Sequence, residues 1–214
     1  GKITNQKSSG RCWLFAGLNT MRLAIMRKCN LETFEFSQNY AMFYDKLEKA
    51  NYFLEAILET LSEPTDSRLI AHLLTAPVQD GGQWDMFCAI VDKYGCVPKL
   101  AMPETFHSSN TGMLCKLLTL RLREDAARLR AAFSAGETRE ALAARKDEML
   151  AQIYAMLRQS LGDPPETFDW EYRDKDKNFT RVRGLTPRAF YETYVGQELS
   201  DYIAVINAPT ADKP

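Results

Sequence analysis

Asn5-Gln6-Lys7-Ser8-Ser9-Gly10-Arg11-Cys12-Trp13-Leu14-Phe15 is the stretch on which this chain turns. A polar, glycine-containing segment runs straight into an apolar helical pattern, with a cysteine at the junction. Leu14, Leu18, Met21 and Ile25 recur at spacings of four, three and four, which places them on one face of a helix over 10–28. Trp13 and Phe15 flank that stripe, so the helix is expected to be well buried. Ser9 has the chemistry of an N-cap, which would set Cys12 at the third helical position. There the unpaired backbone N–H groups and the positive end of the helix dipole favour a thiolate. A cysteine without context is a small buried hydrophobe. Here a polar loop leads it onto the positive end of a helix.

Working outward, a second stripe follows. Ser37 opens a helix in which Tyr40, Phe43, Tyr44, Leu47, Ala50, Leu54, Ile57, Leu58 and Leu61 keep helical spacing, which predicts core packing. Pro64 and Asp66 break the chain, and a short helix is expected over 68–75. Gln79-Asp80-Gly81-Gly82-Gln83-Trp84-Asp85 is the next informative stretch. Its adjacent glycines permit a tight turn and let another backbone come close. A helix over 84–94, closed by Gly95, comes after it. Residues 97–109 read as an extended connection. Residues 114–133 and 137–161 form an αα-hairpin broken at Ser134-Ala135-Gly136. Its alternating charges read as a solvated face, with a docking surface for another subunit as the alternative.

Beyond Glu166 the period changes to two. Residues 168–172 and 179–182, joined by Asp174-Lys175-Asp176-Lys177-Asn178, predict a β-hairpin. Thr186 and Pro187 start a helix over 188–194, and 202–206 is a short strand candidate. The fold class is therefore α+β. The expected divisions are a helical domain at 1–113, a helical insertion at 114–162, and the start of a β-containing domain at 163–214.

The totals narrow the function. With 45% hydrophobic and 26% charged residues in 214, the chain can bury an ordinary globular core. A net charge of -1 gives no electrostatic case for nucleic acid or a membrane surface. No apolar run is long enough to span a bilayer. Five cysteines, at 12, 29, 88, 96 and 115, show no Cys-x-x-Cys pair, which points to reduced thiols and a cytoplasmic setting. No cofactor or metal is expected. The chain starts without Met and stops without an obvious end to a fold, so a piece of a longer protein is expected.

Ser9-Gly10-Arg11-Cys12-Trp13 resembles the Cys-Gly-[Ser/Ala]-Cys-[Trp/Tyr] signature around the nucleophile of papain-like cysteine peptidases. The longer run from Ile3 to Phe15 looks like one branch of that superfamily, the bleomycin hydrolase and aminopeptidase C family. The runs 170–179, 185–191 and 207–214 resemble its bacterial members, so the likeness covers essentially the whole chain. The resemblance implies a papain-like fold. In it a helical left domain carries a helical-hairpin insertion and leads into a β-containing right domain. It implies Cys12 as nucleophile, Gln6 as an oxyanion-hole donor, and Gly81 and Gly82 as the backbone that hydrogen-bonds a peptide substrate. It also implies a homo-oligomer, hexameric in that family. Ser9 stands where the secreted papain-like enzymes carry a disulfide-bonded cysteine, so no bridge is possible there.

One part of the chemistry is missing. A free thiol has a pKa of about 8.5, so only about 3% is thiolate at pH 7. Papain-like enzymes place a histidine and an asparagine roughly 130–150 residues beyond the cysteine. That interval contains no histidine here. The two histidines are His72, expected on a helix surface, and His107, expected in a loop. The expectation is a cysteine aminopeptidase of which this chain holds the nucleophile half and lacks the base half, inactive alone. The helical hairpin and the missing histidine leave a non-catalytic binding or assembly protein as the alternative.

Overall fold

A computed structural model describes residues 3–196 and 199–202. The strand candidate at 202–206 lies, beyond Tyr202, outside the described residues. Helix α1 (Cys12–Lys28) buries Leu14, Leu18, Met21 and Ile25, the stripe anticipated from the sequence. Helix α2 (Gln38–Glu59) is capped by Ser37, whose Oγ accepts the Tyr40 N–H at 3.0 Å. Both helices lie in one hydrophobic cluster with α4 (Trp84–Tyr94), while α3 (Arg68–Thr75) packs at the far end of α2. Gly95 closes α4 at φ 72°, and a Cβ there would stand 2.4 Å from the Pro187 carbonyl. Only glycine fits that turn.

Helices α6 (Thr111–Ser134) and α7 (Arg139–Leu161) form the anticipated hairpin. Its inner stripe, including Leu118, Leu122, Leu129, Ile153 and Leu157, is buried against α2. Tyr154 meets Phe43 edge-on at 5.2 Å between centroids. Its outer face is solvated and carries exposed pairs such as Arg145–Glu137 and Arg158–Asp163. The connection over 97–109 is not wholly extended. Thr105 and Ser108 make a reciprocal capping box that folds one helical turn, α5 (Phe106–Ser109).

Strands β1 (Phe168–Arg173) and β2 (Phe179–Leu185) pair antiparallel, with Trp170 opposite Val182 and Tyr172 opposite Thr180. An irregularity between Phe168 and Trp170 lets Asp169 Oδ1 accept the Gly184 N–H at 3.0 Å, and β2 runs on to Leu185. Helix α8 (Pro187–Phe190) starts as expected, with Thr186 accepting the Ala189 N–H at 3.1 Å. It continues as a π-helical turn over Tyr191–Val195. The buried edge of the hairpin meets α8 in an aromatic cluster. Trp170 stands edge-to-face on Phe190 at 5.0 Å, and Phe34 does the same on Phe36 at 4.8 Å. Among the described residues no helix is long and apolar enough to cross a membrane.

Candidate active site

Cys12 is exposed and is the first residue of α1, not the third. Ser9 is not the N-cap; that position falls to Arg11, which makes no side-chain cap bond. The cause is a competing partner. Ser9 Oγ donates to Gln6 O at 2.6 Å and accepts from Arg11 Nε at 2.9 Å. The Arg11 side chain is 1% exposed and forks onto Glu104, with Nη1–Oε1 at 3.0 Å and Nη2–Oε2 at 2.8 Å. Ser108 Oγ also donates to Glu104, at 2.6 Å. The first turn of the helix is closed by Phe15 N–H to Arg11 O at 3.1 Å. The amides of Cys12, Trp13 and Leu14 precede it, so the free N–H groups expected at a helix start belong to the end that carries the thiol.

The loop before Cys12 is fixed at several points. Ser8 N–H donates to Ser109 O at 3.0 Å, and Thr111 N–H donates back to Ser8 O at 3.3 Å. Lys7 takes φ 55°, with its N–H held by Asn5 Oδ1 at 2.8 Å. Gln6, tied through Ser9 to the residue preceding Cys12, has a buried Oε1 with no hydrogen-bond partner.

Residues 79–82 lie against the same helix end. Trp13 Nε1 donates to Asp80 O at 2.7 Å. A Cβ on Gly82 would stand 2.5 Å from the Trp13 indole, whereas one on Gly81 would meet nothing within 4 Å. The Gly82 backbone therefore rests on the ring of the residue next to Cys12. Behind it is a network that the sequence did not disclose. Lys46, with a fully buried side chain, pairs with Asp80 at 2.8 Å and donates to Gln79 O at 2.7 Å. Lys49 donates to Gln79 O at 2.8 Å and Gly81 O at 2.7 Å, and pairs with Asp45 at 2.8 Å. Asp80 also accepts the Gly10 N–H at 2.9 Å and the Thr111 hydroxyl.

Burial works against the Asp80 charge, but the Lys46 ammonium, the Thr111 hydroxyl and the Gly10 N–H outweigh it and hold the carboxyl well below the usual range. Burial also opposes the Lys46 charge, and Asp45 and Asp80 overcome it, so the ammonium stays protonated. Cys115, which donates to Asp80 Oδ1 at 3.3 Å, is pushed up to about 11 by its burial. Burial likewise raises the thiols of Cys29, Cys88 and Cys96. All five cysteines are free, and Cys12 alone is exposed.

His72 sits exposed on α3, and His107 sits on α5 with a buried Nδ1 that has no partner. Neither is hydrogen-bonded to Cys12 among the described residues. The same residues show no cluster of histidine, cysteine and carboxylates able to hold a metal. A cavity of about 900 Å³ lies at the opposite end of α1, lined by Met26, Phe34, Leu100, Trp170 and Tyr172 among others, and does not include the thiol.

A family model described as the Peptidase C1-like family matches residues 1–214. The chain belongs to this family. Peptidase C1-like relatives agree along its whole length. It is 55% identical over 213 residues to aminopeptidase C of Listeria monocytogenes, covering 100% of this chain and 48% of that protein. It is 46% identical over 211 residues to human bleomycin hydrolase, covering 97% of this chain and 46% of that protein. The crystal structure of PepW from Lactobacillus rhamnosis HN001 superposes with a TM-score of 0.96 at 53% identity, over 100% of this chain and 48% of that one. The α+β, papain-like fold of a Peptidase C1-like chain is therefore present, and the chain spans about half the length of the curated relatives it matches.

Of the residues singled out from sequence, Cys12 and the glycine pair come together through Trp13, and Gln6 is tied to the loop that enters α1. Arg11, Glu104, Lys46, Lys49 and Asp80 were missed. In sequence, α2 is read from its apolar stripe, which assigns no role to Asp45, Lys46 or Lys49. The loop carbonyls that Lys46 and Lys49 reach are 30 or more positions away, so no local pattern announces them.

Proposed function

We propose that the polypeptide carrying this chain is a cysteine aminopeptidase that releases N-terminal residues from peptides. The observation that carries the reading is the exposed thiol at the first residue of a buried helix, whose next residue forms the floor beneath the Gly82 backbone. Cys12 Sγ attacks the scissile carbonyl carbon, the C–N bond breaks, and the amine leaves with a proton while a thioester forms. Water then hydrolyses the thioester and releases the acid. Both tetrahedral stages put negative charge on the carbonyl oxygen. The Gln6 side-chain N–H and the Cys12 backbone N–H are the donors offered to it. Gly81 and Gly82 align the peptide by main-chain hydrogen bonds, which tolerate many side chains.

The proton acceptor is not in this chain. Neither His72 nor His107 is bonded to the thiol, so the imidazole and its orienting asparagine are assigned to the part of the polypeptide beyond it. Relatives of about twice this length support that assignment. The 214 residues alone would therefore turn over no peptide. The cytoplasmic setting, supported by five free cysteines, belongs to the same proposal. So do a hexameric homo-oligomer, which rests on the family resemblance, and the division at 1–113, 114–162 and 163–214, which rests on the change of sequence pattern along the chain.

The test uses the intact polypeptide and a fluorogenic aminoacyl amide. Cys12→Ala is expected to lower kcat by about 10³-fold or more without changing the unfolding midpoint. Undiminished turnover by Cys12→Ala, or a complete reading frame with no further histidine, would sink the enzyme reading.

A further inference from the structure

Three successive carbonyls, those of Gln79, Asp80 and Gly81, point inward and are each captured. Lys46 and Lys49 share Gln79 O, Trp13 Nε1 takes Asp80 O, and Lys49 takes Gly81 O. The described peptide bonds are all trans, and in a trans peptide the C=O and the following N–H point in opposite directions. With Gly81 O aimed at α2, the Gly82 N–H must face away from it. That N–H donates to no group among the described residues. The Gly82 Cα, meanwhile, is pressed on the Trp13 ring.

Lys49 decides this orientation in a way Lys46 does not. Lys46 anchors Gln79 and Asp80 but does not touch Gly81. The Lys49 ammonium has three N–H groups and three acceptors, Gln79 O, Gly81 O and Asp45, and its Nζ lies 5.3 Å from the centre of the Trp13 ring. An ammonium can donate but never accept. A flipped Gly81–Gly82 peptide would turn an N–H toward it and a C=O away from it, and would be rejected.

We propose that Lys49 is a positioning residue for the peptide substrate, fixing the plane of the Gly81–Gly82 peptide so that the Gly82 N–H is presented to a substrate carbonyl. This rests on the reading of the site as a peptide-binding thiol centre, and the test separates the two. In the intact polypeptide, Cys12 is alkylated with iodoacetamide, which needs no peptide seat, and with a dipeptidyl epoxide, which does. The wild type is expected to prefer the epoxide. A wild type without that preference would refute the peptide reading itself. Given the preference, Lys49→Met is expected to lose about tenfold in epoxide rate, the equivalent of one hydrogen bond, with iodoacetamide unaffected and KM for peptide rising more than kcat falls. An unchanged preference, or equal losses with both reagents, would overturn the positioning role. If Lys49→Met does not fold, Lys49→Arg and Lys49→Gln decide it. The guanidinium only donates and keeps the preference, whereas the amide can also accept and relaxes it. Equal preferences in those two variants would overturn the proposal.

Discussion

The two ends of α1 are held by different physics. At the Cys12 end the neighbours are fixed by charge and by hydrogen bonds to single backbone atoms: Arg11 forks onto Glu104, and two lysines hold three loop carboxylates and carbonyls in place. At the Lys28 end, strand β1 and helix α8 are held by edge-on and tilted rings of Phe34, Phe36, Trp170, Phe190 and Tyr194. Apolar contact is strong and tolerant of direction, while a hydrogen bond is weaker but fixes where one atom lies. Direction is bought where chemistry needs it. Ring packing serves where adhesion suffices.

Substitution can break this contrast. The largest effects are expected from Lys46→Met and Phe190→Ala. The first leaves the buried Asp45 with a diminished counter-charge, and the second empties a fully buried site. Each is expected to cost about 3–5 kcal/mol in urea unfolding. Lys46→Met is expected also to reduce the preference of Cys12 for a peptidyl epoxide over iodoacetamide, whereas Phe190→Ala leaves it intact. Equal loss of preference in both would erase the distinction between the ends.

The glycine pair gives a finer comparison. Gly82→Ala must push its Cβ into the Trp13 ring, so peptidyl labelling is expected to fall about tenfold, a shift of about 1.4 kcal/mol. Gly81→Ala meets nothing and is expected to label as the wild type does. Similar rates for the two would show that the backbone does not bear on the indole in solution.

Acid tests the charged end. The Asp80 carboxyl has its folded pKa held below the unfolded value of about 3.9, mainly against burial by Lys46. Its contribution is complete above about pH 4 and is lost as the pH falls toward the folded value. The unfolding midpoint of the wild type is therefore expected to drop below pH 4 more steeply than that of Asp80→Asn. Parallel pH profiles would remove Asp80 from the account. The smallest effect belongs to the outer hairpin. Arg145→Ala breaks an exposed pair with Glu137 and is expected to leave the urea midpoint unchanged.

Much of the fold was legible because helices with one buried stripe repeat the same spacing, as Leu14, Leu18, Met21 and Ile25 do. Caps that rely on one nearby hydroxyl, at Ser37 and Thr186, were legible as well. Ser9 failed as a cap for a non-local reason: a guanidinium bound 93 residues downstream took its hydroxyl. The same holds at the site. Cys12 and the glycines stand in short motifs, but the Lys46 and Lys49 ammonium groups acquire meaning only when folding brings residues 79–81 to α2. The turn at 106–109 was overlooked although Thr105 and Ser108 have capping-box spacing, because the prolines and serines around them suggested an extended segment.

The bond between Arg11 and Glu104 also has a consequence in time. At synthesis rates of about 5–20 residues per second, Glu104 is added about 5–20 s after Arg11. Ser8 waits slightly longer for Asn110, its partner in an isolated bridge. The loop that carries Cys12 emerges from the ribosome before either partner and reaches its final shape only after about half of this chain has followed it. Closing so long a segment is slow compared with forming the helix behind the thiol. The helix is ready early, and the surroundings of the thiol are completed only once residues 104 and 110 have been added.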